Sequence, residues 1–245
     1  MQLTDEQLKQ YQDEGYVFLG KVLTDEQLEG LRTEEARFRA ARGVNESRPG
    51  THFFGKMAAY SPVLREVITQ GAHVEILPHL HGTPNVIFRH DQFVTKMPDR
   101  DVQRGEFPWH QDEGYEPVDP AMGVTVWIAL DDMTLENGCI WVVPGSHKQG
   151  HLPHEARGGD GYLTLPIEGD GEPMPMKAGE AVAFTGLTLH RSKYNRTDKA
   201  RRAFFIGYAD ASAKFRQRQE TEMRPLVGSP HSWVVCGSAP LEGEK

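Results

Sequence analysis

The chain has 245 residues, of which 38% are hydrophobic and 25% charged, a balance typical of a folded protein rather than a disordered one. The 27 basic and 35 acidic side chains leave a net charge of −8, which argues against a nucleic-acid or anionic-membrane partner. Two cysteines exclude a disulfide framework, and no apolar run approaches the roughly 18–20 residues that span a bilayer. Because the polar, acidic N-terminus is also unlike a signal peptide, we expect a cytoplasmic protein.

The first part of the chain, residues 1–84, predicts mostly helices. Thr4 and Thr24 each stand three residues before a glutamine, the capping-box pattern that begins a helix. Gly15 is expected to end the first helix, and a short apolar strand follows it. The second helix is expected to end at about Arg42, where a glycine follows.

The remainder of this part continues the helical pattern after a break. Residues 43–56 predict a loop. Pro62 suits the first turn of a further helix that ends at Gly71, and 74–80 predicts a short helix.

From residue 85 onward the sequence predicts short strands. Segments rich in β-branched and aromatic residues are separated by turn residues, without long helical patterns between them: VIFRHDQFVTKM, VTVWIALDD, GCIWVVPGSH, AVAFTGLTLHRS and RAFFIGYAD. This spacing favours an antiparallel sandwich or barrel. Residues 145–172 predict a long loop. We expect one domain over residues 1–237, with the β core at 85–237 and a disordered tail at 238–245.

The stretch FPWHQDEGYEPV places His110 two residues before Asp112. In a strand, residues i and i+2 face the same side, so both side chains could reach one ion. Iron(II) oxygenases bind their metal with two histidines and one carboxylate and leave open positions. An exposed, hydrogen-bonded polar pair is the alternative, so a metal site requires a second histidine from elsewhere in the chain.

His190 is the best candidate for this second histidine because it ends an apolar strand. A turn at about 195–198 predicts a hairpin between this strand and the next one. Ser192 would then lie opposite Arg201, on the face that carries His190. The guanidinium group of Arg201 suits bidentate binding of a carboxylate. Taken alone, each of these residues could equally be an ordinary polar strand-end or surface residue.

The combination of His-Gln-Asp, a distant histidine, and an arginine eleven residues after it resembles the phytanoyl-CoA dioxygenase family. YQDEGYVFLGKVLTDEQLEGLR and VTVWIALDDMTLENGCIWVVPGSH resemble two further parts of that family, so the likeness extends over most of the chain. The resemblance implies a mainly β fold with added helices: a cupin-like double-stranded β-helix (jelly roll), with N-terminal helices packed on one sheet. It also implies Fe(II) as cofactor, with 2-oxoglutarate and O2 as cosubstrates.

The resemblance assigns roles to individual residues. His110, Asp112 and His190 match the iron ligands. Four residues match positions that contact the cosubstrate: Arg201, Ser192, Trp127 and Lys56. Three others lie where they could contact the substrate: Arg104, Tyr115 and Trp141. Since a strand tryptophan is usually a core residue and a loop lysine is usually solvated, Trp127 and Lys56 each have a purely structural alternative.

The implied activity is hydroxylation, or a related oxidation, of an unactivated C–H bond in a small molecule, with release of succinate and CO2. Halogenating relatives of the family replace the carboxylate with a small residue, so Asp112 favours hydroxylation. A metal-dependent cupin enzyme that does not use 2-oxoglutarate is the alternative, and it would have no need of Arg201. We expect no nucleic-acid or membrane partner, and the sequence specifies neither the substrate nor the oligomeric state.

Overall fold

The computed structural model of the chain describes residues 1–45, 48–101, 104–121, 123–157, 161–216, 220–226 and 232–238. Its α-helices within those ranges are α1 (Asp5–Glu14), α2 (Asp25–Ala41), α3 (Pro62–Gln70), α4 (Leu77–His81) and α5 (Asp112–Tyr115). Short 3₁₀ turns are formed by Ala58–Tyr60, Ala72–Ile76 and Ser146–Gln149. Across the described ranges, no helix combines the length and the apolar character that crossing a bilayer requires.

The strands of these ranges pair antiparallel throughout. They are β1 (Tyr16–Lys21), β2 (Gly50–Gly55), β3 (Val86–Met97), β4 (Phe107–His110), β5 (Val118–Asp119), β6 (Val124–Ala129), β7 (Ile140–Val142), β8 (Glu155–Ala156), β9 (Leu163–Thr164), β10 (Glu172–Met174), β11 (Glu180–Thr185), β12 (His190–Ser192), β13 (Arg201–Asp210), β14 (Lys214–Phe215), β15 (Arg224–Pro225) and β16 (Trp233–Cys236).

Two sheets form the body of the β structure. The larger has the order β1-β11-β6-β13-β3-β16, with β2 also paired to β3, and the smaller has the order β10-β7-β12-β4. From β3 onward the chain passes repeatedly from one sheet to the other, as in a jelly roll, and this confirms the predicted cupin-like double-stranded β-helix. The small sheets β15-β14-β5 and β8-β9 lie outside these two.

The N-terminal helices form where the cap residues predict them. The Thr4 side chain accepts a hydrogen bond from the backbone N–H of Gln7, whose side chain in turn accepts from the backbone N–H of Thr4. Thr24 makes the same reciprocal pair at the start of α2. Gly15 ends α1 in the left-handed conformation (φ 84°), which favours glycine. The predicted helix starts are therefore confirmed.

The larger sheet is buried on both faces, which explains why strands such as β6 and β11 are mostly apolar. One face packs against the helices: Phe204 and Ile206 of β13 share a core with Leu31 of α2 and Leu64 of α3. The other face looks toward the smaller sheet and carries residues such as Trp127, Ala203, Phe205 and Val94. Successive side chains of β13 therefore point alternately into the core beneath the helices and into the interior between the two sheets.

The predicted hairpin between His190 and Arg201 is wrong. The strand β12 pairs with β4 and β7 in the smaller sheet, whereas β13 pairs with β3 and β6 in the larger one. The intervening chain is tied to the end of β3, because the buried Asn195 donates hydrogen bonds to the backbone oxygens of Lys96 and Lys199. This attachment directs the chain across to the other sheet instead of back along β12.

Two predicted loops contain strands. Residues 43–56 include β2, which pairs with β3 from Gly50 opposite Met97 to Gly55 opposite Gln92. Residues 145–172 include one 3₁₀ turn and the pair β8-β9, in which Ala156 lies opposite Leu163. The strand β2 depends on a partner distant in the sequence, so the local pattern does not reveal it. Of the predicted tail at 238–245, all but residue 238 lies outside the described residues.

Candidate metal centre and cosubstrate pocket

His110 and His190 come together across the pair β4-β12, where they lie directly opposite each other. Their ring centroids are 4.0 Å apart. Asp112 completes the group: its Oδ1 lies 3.7 Å from Nε2 of His110 and 3.5 Å from Nε2 of His190. One ligand atom from each residue lies within 4.8 Å of the others, so a single metal ion could contact all three.

Each imidazole is oriented by a backbone carbonyl group. Nδ1 of His110 lies 2.8 Å from the oxygen of Pro108, and Nδ1 of His190 lies 2.9 Å from the oxygen of Thr188. Because a carbonyl oxygen only accepts, Nδ1 carries the proton in both rings and Nε2 presents its lone pair. Burial and the neighbouring His190 ring also lower the pKa of His110 well below its usual value, which keeps that ring neutral. Metal-binding histidines are commonly oriented in this way.

Asp112 reaches the site by a route different from the predicted one. The strand β4 ends at His110, and Asp112 is the first residue of the short helix α5 rather than the next same-facing residue of a strand. Its Oδ2 accepts a 2.6 Å hydrogen bond from the hydroxyl of Thr125 in β6. This bond leaves Oδ1 facing the two histidines. Thr125 was not predicted, since a threonine within an apolar strand carries no local signal of this role.

The donor set fits iron(II) as the sequence predicts. Two neutral imidazole nitrogens and one carboxylate oxygen on one side of a metal are the ligands of non-haem iron(II) oxygenases, which keep further positions free. A cavity of about 470 Å³ adjoins the three ligands and is bordered by all of them. The free positions of a bound ion would therefore open into a space large enough for a cosubstrate and part of a substrate.

Arg201 is completely buried without an acidic partner among the described residues. Its Nη2 donates to the backbone oxygen of Gly138 at 2.7 Å, whereas Nε and Nη1 are buried and have no hydrogen-bond partner in the described structure. Burial lowers its pKa to about 10. The guanidinium carbon lies 5.7 Å from the ring centroid of Trp127, which borders the cavity. Unpaired buried donors are costly, so this group is suited to receive an anion.

Lys96 is a second buried cation that sequence analysis missed. It lies directly opposite Arg201 in the β3-β13 pair, and its side chain is fully buried. Its ammonium group donates to the hydroxyl of Thr51 at 3.0 Å and to the backbone oxygen of Gly105. Burial, together with Arg201, lowers its pKa well below the usual value. Two like charges side by side are unfavourable unless an anion joins them. Because the strand that carries Lys96 contains several other polar residues, the local sequence does not mark this lysine.

The other residues predicted to contact the cosubstrate all border the cavity. These are Ser192, Trp127 and Lys56. Ser192 follows His190 on β12, and Trp127 lies in β6 directly opposite Phe205. Lys56 has a positive φ of 64°, which is uncommon for a residue with a side chain, and its backbone N–H donates to the oxygen of Asp91.

The three residues predicted to contact substrate differ in position. Tyr115 borders the cavity, and its ring centroid lies 5.6 Å from that of His110. Arg104 is exposed, and neither it nor Trp141 is among the residues that border the cavity. Trp141 instead packs with Lys193, whose ammonium group lies 4.2 Å from the ring centroid. In β7 its side chain alternates with those of the apolar residues that face the interior.

The cavity has an aromatic wall beside the metal ligands. Phe107 is its centre: the ring centroid lies 5.3 Å from that of Phe53, 4.6 Å from that of Tyr162 and 4.3 Å from that of His110. Neither Phe53 nor Tyr162 was predicted individually as a site residue, because both are distant from Phe107 along the chain. Charged groups stand elsewhere on the boundary, including Arg89, which forms a 3.2 Å ion pair with Glu116.

Comparison with known sequences identifies relatives over most of the chain. The sequence model of the phytanoyl-CoA dioxygenase family (PhyH) matches residues 11–203. A probable phytanoyl-CoA dioxygenase of Caenorhabditis elegans is 28% identical over 236 residues, which cover 85% of this chain and 76% of the relative. The human peroxisomal phytanoyl-CoA dioxygenase is 26% identical over 260 residues, which cover 94% of this chain and 77% of the relative.

Comparison with solved structures supports the fold. The 2-oxoglutarate-dependent carbocyclase SnoK of nogalamycin biosynthesis superposes with a TM-score of 0.78 at 24% identity, over 95% of this chain and 96% of that one. EvdO2 of Micromonospora carbonacea var. aurantiaca, solved with 2-oxoglutarate, gives a TM-score of 0.69 at 22% identity, over 91% and 96%. At this identity the likeness concerns the fold alone.

The extent of the family match decides the assignment. It includes the elements that carry all three candidate metal ligands and Arg201, and the structure brings the three ligands to one point. The family and the enzyme class predicted from the sequence are therefore confirmed. The chain belongs to the phytanoyl-CoA dioxygenase family of non-haem iron, 2-oxoglutarate-dependent oxygenases.

Proposed function

We propose that this protein hydroxylates, or otherwise oxidises, an unactivated C–H bond of a small molecule, with release of succinate and CO2. The observation that carries the proposal is the convergence of His110, Asp112 and His190 on one point beside a cavity. The buried guanidinium of Arg201, which lacks an acidic partner among the described residues, supports the use of 2-oxoglutarate rather than a cosubstrate-free cupin reaction.

The three ligands would hold Fe(II) through Nε2 of each histidine and Oδ1 of Asp112. When bound, the iron and 2-oxoglutarate together supply the oxidising chemistry. The task of the chain is to fix the ligand atoms, and the carbonyl oxygens of Pro108 and Thr188 do this for the two rings. The ligands are buried or nearly so, which limits access of bulk water to the reacting centre.

Arg201 would bind the carboxylate of 2-oxoglutarate that lies farther from the metal. Its Nε and Nη1 are buried donors without a partner among the described residues, and each could donate a hydrogen bond to a carboxylate oxygen. Lys96 beside it would add a second positive charge, which favours a dianionic cosubstrate. Ser192 and Trp127 border the cavity beside the metal ligands and would contact the cosubstrate chain, and we assign Lys56 to the same cavity.

The substrate would be a small molecule with an apolar or aromatic portion. The rings of Phe53, Phe107, Tyr115 and Tyr162 border the cavity beside His110, and such a wall packs against hydrocarbon or a flat ring. One protein with a similar fold, the epimerase SnoN, was solved in complex with Fe3+, alpha ketoglutarate and nogalamycin RO. We retain the cytoplasm as the proposed location, although the human relative is named peroxisomal.

An anaerobic titration tests the proposed cofactors. Addition of 2-oxoglutarate to protein loaded with Fe(II) should produce the weak visible charge-transfer band that arises when the cosubstrate chelates the metal. An Asp112→Ala variant should lose this band together with iron affinity, whereas Asp132→Ala, which removes an exposed carboxylate on the protein surface, should retain it. Well-folded wild-type protein without the band would contradict the proposal. A screen of small molecules for substrate-dependent succinate release would then identify the substrate class.

A further inference from the structure

Gln111, between two of the candidate iron ligands, is completely buried, and each of its polar groups is hydrogen-bonded. Its side-chain amide donates to the backbone oxygens of Gly150 and Leu187 at 2.9 and 2.8 Å, and its Oε1 accepts from the backbone N–H of Leu152 at 2.8 Å. The backbone oxygen of Gln111 accepts a hydrogen bond from the backbone N–H of Gly114 at 3.0 Å. The segment 150–154 therefore holds this one residue from several directions.

The backbone N–H of Gln111 has an unusual acceptor, the ring of His154. It donates to Nε2 at 2.9 Å, while Nδ1 of the same ring lies 2.8 Å from the oxygen of Leu152. Since Nε2 accepts, the ring is neutral and carries its proton on Nδ1. The imidazole also lies directly on helix α5: a Cβ atom at Gly114 would be 2.5 Å from its Cε1. The ring is thus fixed by two hydrogen bonds and by this close contact.

The conformation of Gln111 decides where Asp112 points. The chain changes from strand to helix at this residue, which is extended (φ −109°, ψ 141°) and precedes the first residue of α5. His110 is fixed by the strand pair with β12, so a rotation at Gln111 would move the carboxylate of Asp112 relative to both imidazoles. Groups that orient metal ligands in this way commonly affect metal affinity.

We propose that His154 is a positioning residue for the metal centre: it locks the backbone at Gln111 so that Asp112 meets the two histidines. This inference rests on the proposed function, because it concerns the same iron site. His154 would act on the metal ligands indirectly, through the backbone of Gln111. The consequence is that the segment 150–154, which the sequence marks only as loop, helps to form the metal centre from outside it.

Two substitutions separate the hydrogen bond from simple packing. His154→Leu keeps a side chain of comparable bulk but removes the acceptor. His154→Gln retains an oxygen that can accept from the N–H of Gln111. His147→Leu is the matched control: this half-buried imidazole lies in the same part of the chain, and its Nε2 bonds the backbone oxygen of Gln12, away from the ligands.

The measurement is the dissociation constant of Mn²⁺, a stand-in for Fe(II) that does not react with oxygen, from the EPR signal of the free ion. For His154→Leu we expect binding about 10- to 100-fold weaker than in the wild type, the usual cost of losing a partner that orients a metal ligand. His154→Gln should recover most of the affinity, and His147→Leu should bind as the wild type does. The melting temperatures of metal-free His154→Leu and His147→Leu should be similar.

The outcomes distinguish this inference from the proposed function. If the wild type does not bind Mn²⁺ and Asp112→Ala behaves identically, the metal site itself fails, and the inference fails with it. If the wild type binds and His154→Leu binds equally well, only the positioning role is overturned. Equal loss in the leucine and glutamine variants would also overturn the role assigned to the hydrogen bond.

Discussion

Replacing Arg201 with methionine removes the buried cation that we assign to the cosubstrate and keeps a side chain of similar length. In the structure, this guanidinium has a single hydrogen bond, to Gly138, and two buried donors without a partner in the described residues. Those two donors are what 2-oxoglutarate would engage. The variant therefore removes an interaction with the cosubstrate but leaves the metal ligands, which come from other strands, in place.

The magnitude follows from the two free donors. A hydrogen bond to a charged group contributes about 1.5–3 kcal/mol, so two of them correspond to roughly 3–6 kcal/mol of binding free energy. Because about 1.4 kcal/mol corresponds to a factor of ten, we expect 2-oxoglutarate to bind at least about 100-fold more weakly. The free energy of unfolding of the apoprotein should stay the same or rise, because the variant removes a buried charge that has no acidic partner among the described side chains.

The assay is an anaerobic titration of 2-oxoglutarate into protein preloaded with Fe(II), followed by the visible charge-transfer band. Iron affinity is measured separately by competition with a chelator. Arg202→Met is the matched control, because Arg202 is the adjacent residue and its guanidinium binds Asp131 at 2.7 and 2.8 Å on the other side of the strand. This control should leave 2-oxoglutarate binding unchanged.

Two results would refute the reasoning. If Arg201→Met bound 2-oxoglutarate within about threefold of the wild type, a loss below 1 kcal/mol, the carboxylate would be anchored elsewhere. If iron and 2-oxoglutarate affinity fell together, Arg201 would support the metal centre rather than the cosubstrate. Either result would leave the positions of the three metal ligands unaffected.

Three further predictions concern residues beyond the predicted site. Thr125→Val removes the hydrogen bond to Oδ2 of Asp112 and should weaken Mn²⁺ binding by about tenfold, whereas Thr125→Ser should not. Lys96→Met should weaken 2-oxoglutarate binding, measured calorimetrically, by less than Arg201→Met does. An unchanged affinity would show that Lys96 does not contribute to cosubstrate binding. Burial lowers the pKa of His73 to about 4. Between about pH 6.5 and pH 4 the unfolded chain therefore binds a proton at this imidazole and the folded protein does not. The free energy of unfolding should fall by about 3 kcal/mol over this range. His73→Phe, denatured with urea at both pH values, should show a correspondingly smaller loss than the wild type, and an equal loss would contradict this.

Local sequence determined the helices and the residue types of the site. Thr4 and Thr24 begin helices because a threonine three residues before a glutamine satisfies the free N–H groups of the first turn, a rule that operates within four residues. His110, Asp112 and His190 were found because their chemical types at this spacing match a family of metal enzymes. The strands β6, β11 and β13 of the larger sheet were found because they are rich in apolar residues, as burial of both faces of that sheet requires.

Pairing between distant strands was determined only by the tertiary structure. The sequence favoured a hairpin between His190 and Arg201, the shortest connection, but Asn195 ties the connection to β3 and the chain crosses to the other sheet. For the same reason β2 was predicted as a loop, since its partner Met97 lies more than forty residues away along the chain.

The sequence by itself determined which chemical groups are available: two histidines, one carboxylate and an arginine. Only the tertiary structure decided how they come together, because Asp112 and Arg201 meet neighbours that no local pattern relates to them. Thr125 lies in β6 whereas Asp112 begins α5, and Lys96 meets Arg201 only through strand pairing. The imidazole of His154 accepts a hydrogen bond from the backbone N–H of Gln111, the residue that precedes Asp112. Hydrogen bonds of this kind depend on positions in space, and these are set only when the two sheets have packed together.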